Sequence, residues 1–394
     1  TNGAGTLSWT EPAALTYSTE DSGSGDNVFF GKSSGNSNNG FYNTATGYGS
    51  LTNVTGNNNS AFGYYALTSN TNGQGNSAFG TGSLFSNIVG QNNSAFGWSA
   101  LNANTASYNT AMGAGSLNAN TSGSDNSAVG NFSMYRNTTG SYNVALGSGA
   151  LHDNTIGSGS NAVGFGGVYG NTSAVHNNAF GFKALHVNTT GNYNAAFGGF
   201  ALTSNTTASY NSAFGYSALG SNTTGEGNSS FGYTAMMSNT TGANNSAFGE
   251  YSLTNNTIGV KNVAIGSGAL TTSTTGNWNT AVGYGALSAN TTASENTAIG
   301  YYSLKANTTG SKNSAVGKKA LYANTTGSEN TSIGYTSLLD NTTGSKNVAI
   351  GRGAAEYNAT GSNNVAVGYG SLLLNTSGSN NTSLGLLALS LIHI

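Results

Sequence analysis

The stretch that decides the fold is Asn211–Gly227, NSAFGYSALGSNTTGEG, because the chain repeats it at once. NSSFGYTAMMSNTTGAN follows over 228–244 and NSAFGEYSLTNNTIGVK over 245–261. With the glycine of A-F-G as position 0, the register runs from Gly31 to Gly385 in steps of 17. Three steps are of 16: Gly31 to Gly47, Gly47 to Gly63 and Gly97 to Gly113. A period this short excludes helix pairs and propeller blades, which need about 33 to 50 residues. At about 3.3 Å per residue one unit traces roughly 56 Å, enough for one coil of a narrow β-solenoid. Asn, Gly, Ser and Thr recur where such a coil must turn. The expectation is an all-β parallel β-solenoid of about 22 coils, continuous over 27–389. Residues 1–26, with Pro12 and the Glu20–Asp21 pair, form a non-repeat N-terminal segment.

Composition agrees with one array rather than the two or three domains that 394 residues would otherwise suggest. Only 6% of residues are charged, there are 60 glycines and one proline, and Lys+Arg 10 against Asp+Glu 12 leaves a net charge of −2. That balance removes the electrostatic basis for binding nucleic acid or an anionic membrane. The absence of cysteine removes disulfides and thiolate metal sites. No apolar run approaches the roughly 18 residues of a membrane span, and no basic-then-apolar leader opens the chain, as expected of a mature or truncated start.

Each column of the repeat carries its own expectation. Position −1 is apolar (Phe62, Phe79, Phe96, Met112, Val129, Ile350, Val367) and position +4 is mostly Leu (Leu51, Leu67, Leu84, Leu185, Leu304). These two columns read as the inner core, with Thr46 at −1 and Gly35 at +4 among the exceptions. Position −2 is nearly always Ala, departing at Phe29 and Ser230, and position +3 holds only Ala, Ser or Gly. Such small columns fit either a tight inner corner or close approach of another chain. If −1 and +4 point inward, strand alternation turns −2 and +3 outward. A parallel homotrimer is then expected, with Ala213, Ala247, Ala298, Ala218, Ala235 and Ala286 at its interface.

Position +7 is Asn in most coils (Asn70, Asn137, Asn188, Asn239, Asn307, Asn375), which reads as an asparagine ladder. Asn-Thr-Thr also meets the glycosylation rule, but Asn70, Asn87 and Asn104 lack the sequon and a ladder still accounts for them. Position +1 varies and is often aromatic: Tyr64, Trp98, Tyr216, Tyr233, Tyr284, Tyr301, Tyr335 and Tyr369. Glu250 and Lys318 in the same column place it in solvent, and it is the candidate glycan-contact column.

Catalytic chemistry is not expected. His152, His176, His186 and His393 share no register and no metal spacing, and His152 beside Asp153 reads as a polar loop pair. The carboxylates are isolated, so no catalytic residue, cofactor or metal site is assigned. Lys305, Lys312, Lys318, Lys319, Lys346 and Arg352 make the later coils mildly basic, which reads as a solvated face. The chain closes on LSLIHI at 389–394, where the register expects Asn and finds Ile392. One frame of a common sequencing-library adapter encodes this hexapeptide, so 390–394 is expected to be non-native read-through.

The pattern N-[ST]-A-[VFI]-G-x-x-[AS]-L, seen in Asn296–Leu304 and Asn313–Leu321 and recurring over 27–389, resembles the head repeats of YadA-like trimeric autotransporter adhesins. It is similar also to repeat arrays of phage and virus tail-fibre proteins. The resemblance implies a left-handed, trimeric β-roll, exposed on a cell or virion and binding surface glycans or matrix receptors. This chain departs in its longer coil and in carrying no heptad stalk, barrel anchor or chaperone domain, the C-terminal ones being what truncation would remove. A tail-fibre shaft whose chaperone or enzymatic domain is missing from this fragment is one alternative. An ice-binding solenoid is the other, on the threonine row at +8 (Thr138, Thr189, Thr206, Thr223, Thr240). That row is single, short of the two-row face of a T-x-T motif.

Overall fold

The computed structural model describes residues 26–390. All but the last residue of the 1–26 segment, and 391–394 of the suspected read-through, lie outside the described residues. Among the described residues there are 22 three-residue strands and no helix. They fall into two compact units. One runs up to Val163 and takes in Asn171–Ser173; the other comprises Gly164–Gly170 and the chain from Ala174 on. Strands Val28–Phe30 to Asn161–Val163 belong to the first unit and Asn178–Phe180 to Thr382–Leu384 to the second. Within each unit successive strands pair in parallel, position for position: Ser212 against Ser229, Ala213 against Ser230, Phe214 against Phe231. The expected parallel β-solenoid with its 17-residue period is present in both units.

Pairing continues outside the strands. The position 0 amide of Gly215 donates to the Phe197 carbonyl (2.8 Å), Leu219 N–H to Ala235 (3.1 Å) and Thr223 N–H to Thr240 (2.9 Å). Each coil therefore satisfies the backbone groups of its neighbours on every side, which is what allows so small a cross-section to persist.

The interior differs from the expected one. Positions −2, +3 and +4 are buried together: Ala213, Ala218 and Leu219 all have 0% exposure. Position −1 faces out, with Phe96, Val129, Ile299 and Ile333 between 37% and 41% exposed. The strand is only −3, −2 and −1, so burying −2 turns both of its neighbours outward. Alternation does not carry from +4 back to −1, because the backbone changes hand in between. Gly215 at position 0 has φ 138°, and Ser217 at +2 and Leu219 at +4 sit at φ 53° and 52°. The left-handed turn at +4 lets adjacent residues +3 and +4 both point inward. A left-handed leucine costs roughly 1–2 kcal/mol, which burial of its side chain, worth about 1.5–3 kcal/mol, offsets. The alanines named above as a trimer interface are thus interior residues, small because Leu at +4 occupies the space they face. The first coil shows the exchange directly: Phe29 at −2 is buried, and its ring fills the place a side chain on Gly35 at +4 would take.

Position 0 admits only glycine. Its φ lies between 117° at Gly385 and 143° at Gly232, a region closed to residues with a Cβ. A Cβ on Gly215 would also collide with the Gly232 carbonyl.

The remaining interior is polar. The +7 ladder is present: Asn222 Nδ2 donates to Asn205 Oδ1 and to the Gly225 carbonyl, each at 2.9 Å. A second ladder, unassigned in the sequence reading, lies at −4. Asn228 N–H donates to Asn211 Oδ1 (2.9 Å), and Asn211 Nδ2 donates to the same Gly225 carbonyl (2.9 Å). Both asparagine columns are buried, so the Asn-Thr-Thr amides are committed inside the folded coil and are not presented for glycosylation.

In the second unit the ladder breaks at Ser273, which stands where +7 is otherwise Asn among the described residues. Its Oγ and the Asn256 Oδ1 are buried without a partner. Ser273→Asn is expected to restore both contacts and raise stability by about 1–3 kcal/mol, read as a higher urea midpoint. Asn239→Ser should open a second break and lower the midpoint.

Candidate binding surface

With −2, +3, +4 and both asparagine columns turned inward, the outward columns are the side chains left to solvent. In each unit position −1 forms an apolar ladder with in-register stacking. Phe62, Phe79 and Phe96 stack at 4.8 Å in the first unit, and Phe197, Phe214 and Phe231 at 4.6 Å in the second. The ladder of the second unit continues through Ile265, Ile299, Val316, Ile333 and Ile350, all exposed. A contiguous apolar strip in solvent is the usual mark of an interaction surface.

Position +1 is exposed as expected: Tyr64 52%, Tyr216 50%, Tyr233 48%, Tyr284 52%, Tyr301 44%, Tyr335 45% and Tyr369 49%. The sequence does not show how the rings lie. Tyr216 and Tyr233 stack at 5.7 Å and 13°, Tyr284 and Tyr301 at 5.7 Å and 14°, and Tyr48 and Tyr64 at 5.6 Å and 17°. The in-register period turns ring faces toward the next coil and leaves edges and hydroxyls toward solvent. Where the column changes to a cation, the cation covers the face instead. Lys318 Nζ is 5.8 Å from both Tyr301 and Tyr335, and Arg352 Cζ is 5.4 Å from Tyr335 and 5.7 Å from Tyr369. Trp98, at 58% exposure between Thr81 and Ala114 in its column, has no ring or cation against it among the described residues. Of the candidate glycan-contact residues, it alone combines the largest ring with free faces.

Position +2 adds a second aromatic layer in places, packed edge-on against the first. Tyr302 lies 5.3 Å from Tyr284 and 4.2 Å from Tyr301. Hydrogen bonding with Tyr284 is the largest influence on its hydroxyl; burial and Tyr301 add to it, and together they push its pKa from 10.0 up to about 12.

The histidines stay apart. His152 Nδ1 meets Asp153 Oδ1 at 2.8 Å, with Arg136 3.6 Å from the same oxygen; His186 Nδ1 meets the Gly166 carbonyl at 2.8 Å; His176 stacks on Tyr193 at 5.3 Å. His393 lies outside the described residues. Among the described residues no three His, Cys, Asp or Glu side chains gather as a metal site would require, and no helix is long and apolar enough to cross a membrane.

No protein-family model matches the chain, and no curated protein matches it.

The Tyr302 environment favours the neutral phenol in the fold, so its contribution is complete below pH 10 and is lost as pH rises from 10 through about 12. In a spectrophotometric phenol titration, Tyr302→Phe should remove the latest-ionising tyrosine. Tyr284→Phe should bring that ionisation back toward 10, since Tyr284 is the largest of its causes.

Proposed function

We propose that the chain is a structural and adhesive fibre segment, exposed on a cell or virion surface, that attaches by many weak contacts repeated from coil to coil. This is the role of the families its repeat resembles, YadA-like adhesin heads and tail-fibre arrays. The observation that carries the reading is the division of labour within each coil. The interior columns scarcely vary, while +1 changes chemistry freely at a fixed spacing in solvent. Contacts repeated at one spacing engage a repetitive ligand several at a time, so avidity stands in for a deep pocket and for catalysis. Surface glycans fit, with Trp98 supplying a free ring face and the tyrosine edges supplying hydroxyls. The reading as an ice-binding solenoid has less support. The +8 hydroxyls of Thr189, Thr206, Thr223 and Thr240 donate at 3.0–3.1 Å to the carbonyls of the following coil, so their protons are already engaged.

The finer assembly reading is a parallel homotrimer of left-handed coils, with its contact moved from the small columns to position −1. A ladder one side chain wide, repeating once per coil, suits a second copy of itself in parallel register. Three such ladders about a shared axis would shield one another from water. Light scattering should give three times the chain mass. Ile299→Lys with Ile333→Lys should reduce it to one while circular dichroism keeps the strand signal; a wild-type monomer would sink the trimer.

The contact column is tested on a glycan array. Trp98→Ala, and Tyr284, Tyr301 and Tyr335 replaced together by Ala, should each reduce the wild-type signal. Unchanged binding in both variants would remove the +1 column from recognition.

A further inference from the structure

In the second unit the +1 column reads Tyr284, Tyr301, Lys318, Tyr335, Arg352, Tyr369 over six successive coils. Lys318 and Arg352 each lie between tyrosines, within 5.8 Å of the rings on both sides. Beside them, Lys305 Nζ sits 4.4 Å from the Tyr302 ring and Lys319 Nζ 5.5 Å from Tyr322. Among the described residues, carboxylate ion pairs are confined to Asp153, so these cations have no carboxylate partner. At position +2, Gly353 and Gly370 follow Tyr302, Lys319 and Thr336 of the three preceding coils. A groove of about 370 Å³ opens there, lined by Tyr335, Arg352 and Tyr369, with Glu356 the single carboxylate on its wall. The −5 column alternates in sign through Glu295, Lys312, Glu329 and Lys346 and so adds no net charge. A chain of formal charge −2 thus gathers unpaired cations on one strip.

We infer that this strip, from Tyr284 to Tyr369, binds a linear acidic polysaccharide, whose carboxylate or sulfate groups are held by Lys318 and Arg352 and whose hydroxyls meet the tyrosine edges. The inference rests on the reading of +1 as a contact column and names its ligand in this stretch. The two cations are two coils apart, roughly 10 Å at the spacing of paired strands, a length comparable with one disaccharide of such a polymer. Anionic groups can then recur in step with the cations. Charged donors meeting carboxylate or sulfate make shorter and stronger hydrogen bonds than neutral ones. Single-stranded nucleic acid is the other polyanion a basic aromatic strip could hold, but it depends on bases stacking on open ring faces. Here Tyr301 and Tyr335 carry a ring or cation on both sides and Tyr284 and Tyr369 on one, so the strip offers a row of donors rather than a run of open stacking platforms.

The test uses the full chain and three probes: polygalacturonate, its fully methyl-esterified form, and oligothymidine of matched charge. Wild type should bind polygalacturonate, weaken as salt rises, and bind the neutral ester at least about tenfold less. Lys318→Gln with Arg352→Gln should cost polygalacturonate about tenfold or more, as expected for the loss of two charge-assisted contacts, with light scattering and circular dichroism unchanged. Equal binding of acid and ester, unaffected by the double variant, would overturn the acidic-ligand proposal and leave the contact column standing. Binding to neither polymer, together with a glycan-array signal indifferent to the +1 variants, would overturn both. Preference for oligothymidine would replace the proposal with a nucleic-acid strip.

Discussion

A buried carbonyl clasped by two asparagines organises most of the coils. In these coils the residue seven before the position 0 glycine turns its C=O inward, where it accepts from the +7 asparagine of its own coil and from the −4 asparagine of the preceding turn, as at Gly225. The same asparagines bond to their equivalents one coil away, so the clasp fixes the turn and the stacking together. A buried amide without partners would cost more than its hydrogen bonds return. The ladder works because each amide is satisfied by the next, and Ser273 and Asn256 mark where that fails. This polar seam also restricts what lies across from it. The interior left over has room for one leucine and two methyl-sized residues, which is why +4 is large while −2 and +3 stay small.

Much of this was legible in the sequence, and the part misread has a definite cause. The period gave the solenoid, and recurrence of Asn at +7 gave one ladder. The reversal of −1 and −2 came from carrying strand alternation through a segment that is not strand. Position 0 and the left-handed residues at +2 and +4 break the pleat, and no composition rule marks Leu219 as left-handed. One signal did point the right way. Phe29 and Gly35 depart from the pattern in the same coil and in opposite senses of size, as two residues sharing one cavity do. The −4 ladder was hidden because Asn ahead of Ser-Ala-Phe reads as a polar residue entering a strand. Only its two partners, a backbone amide and the −7 carbonyl, show that it is interior.

The surface was legible in chemistry but not in orientation. A count of aromatic residues at +1 identifies an exposed column, as the structure shows. Stacking of identical positions is a consequence of in-register pairing, and it decides what the column can offer. Tyrosines in consecutive coils cover one another's faces, whereas Trp98, flanked by Thr81 and Ala114, does not lose its own. What the column can offer a ligand therefore depends on the order of residues along it as much as on their identity. Alternating Tyr with Lys or Arg converts an aromatic ladder into a row of donors.

The three 16-residue coils separate the spacing from the constraint beneath it. In the coil that begins at Gly97, one residue is missing between the +7 and −4 asparagines, Asn104 and Asn109. A clasp fixed by sequence distance would fail there. Instead Asn104 Nδ2 reaches the Ala106 carbonyl two residues on at 2.8 Å, and Asn93 Nδ2 reaches the same oxygen thirteen residues on at 2.8 Å. In the 17-residue coils those separations are three and fourteen, as at Asn222 and Asn211 with Gly225. The shortened corner gives up a residue of its outer turn and keeps the carbonyl where both amides meet it. Length is thus tolerated even inside the clasped turn, between the +7 asparagine and the carbonyl, because the asparagines hold the hydrogen-bond geometry while the residue count changes.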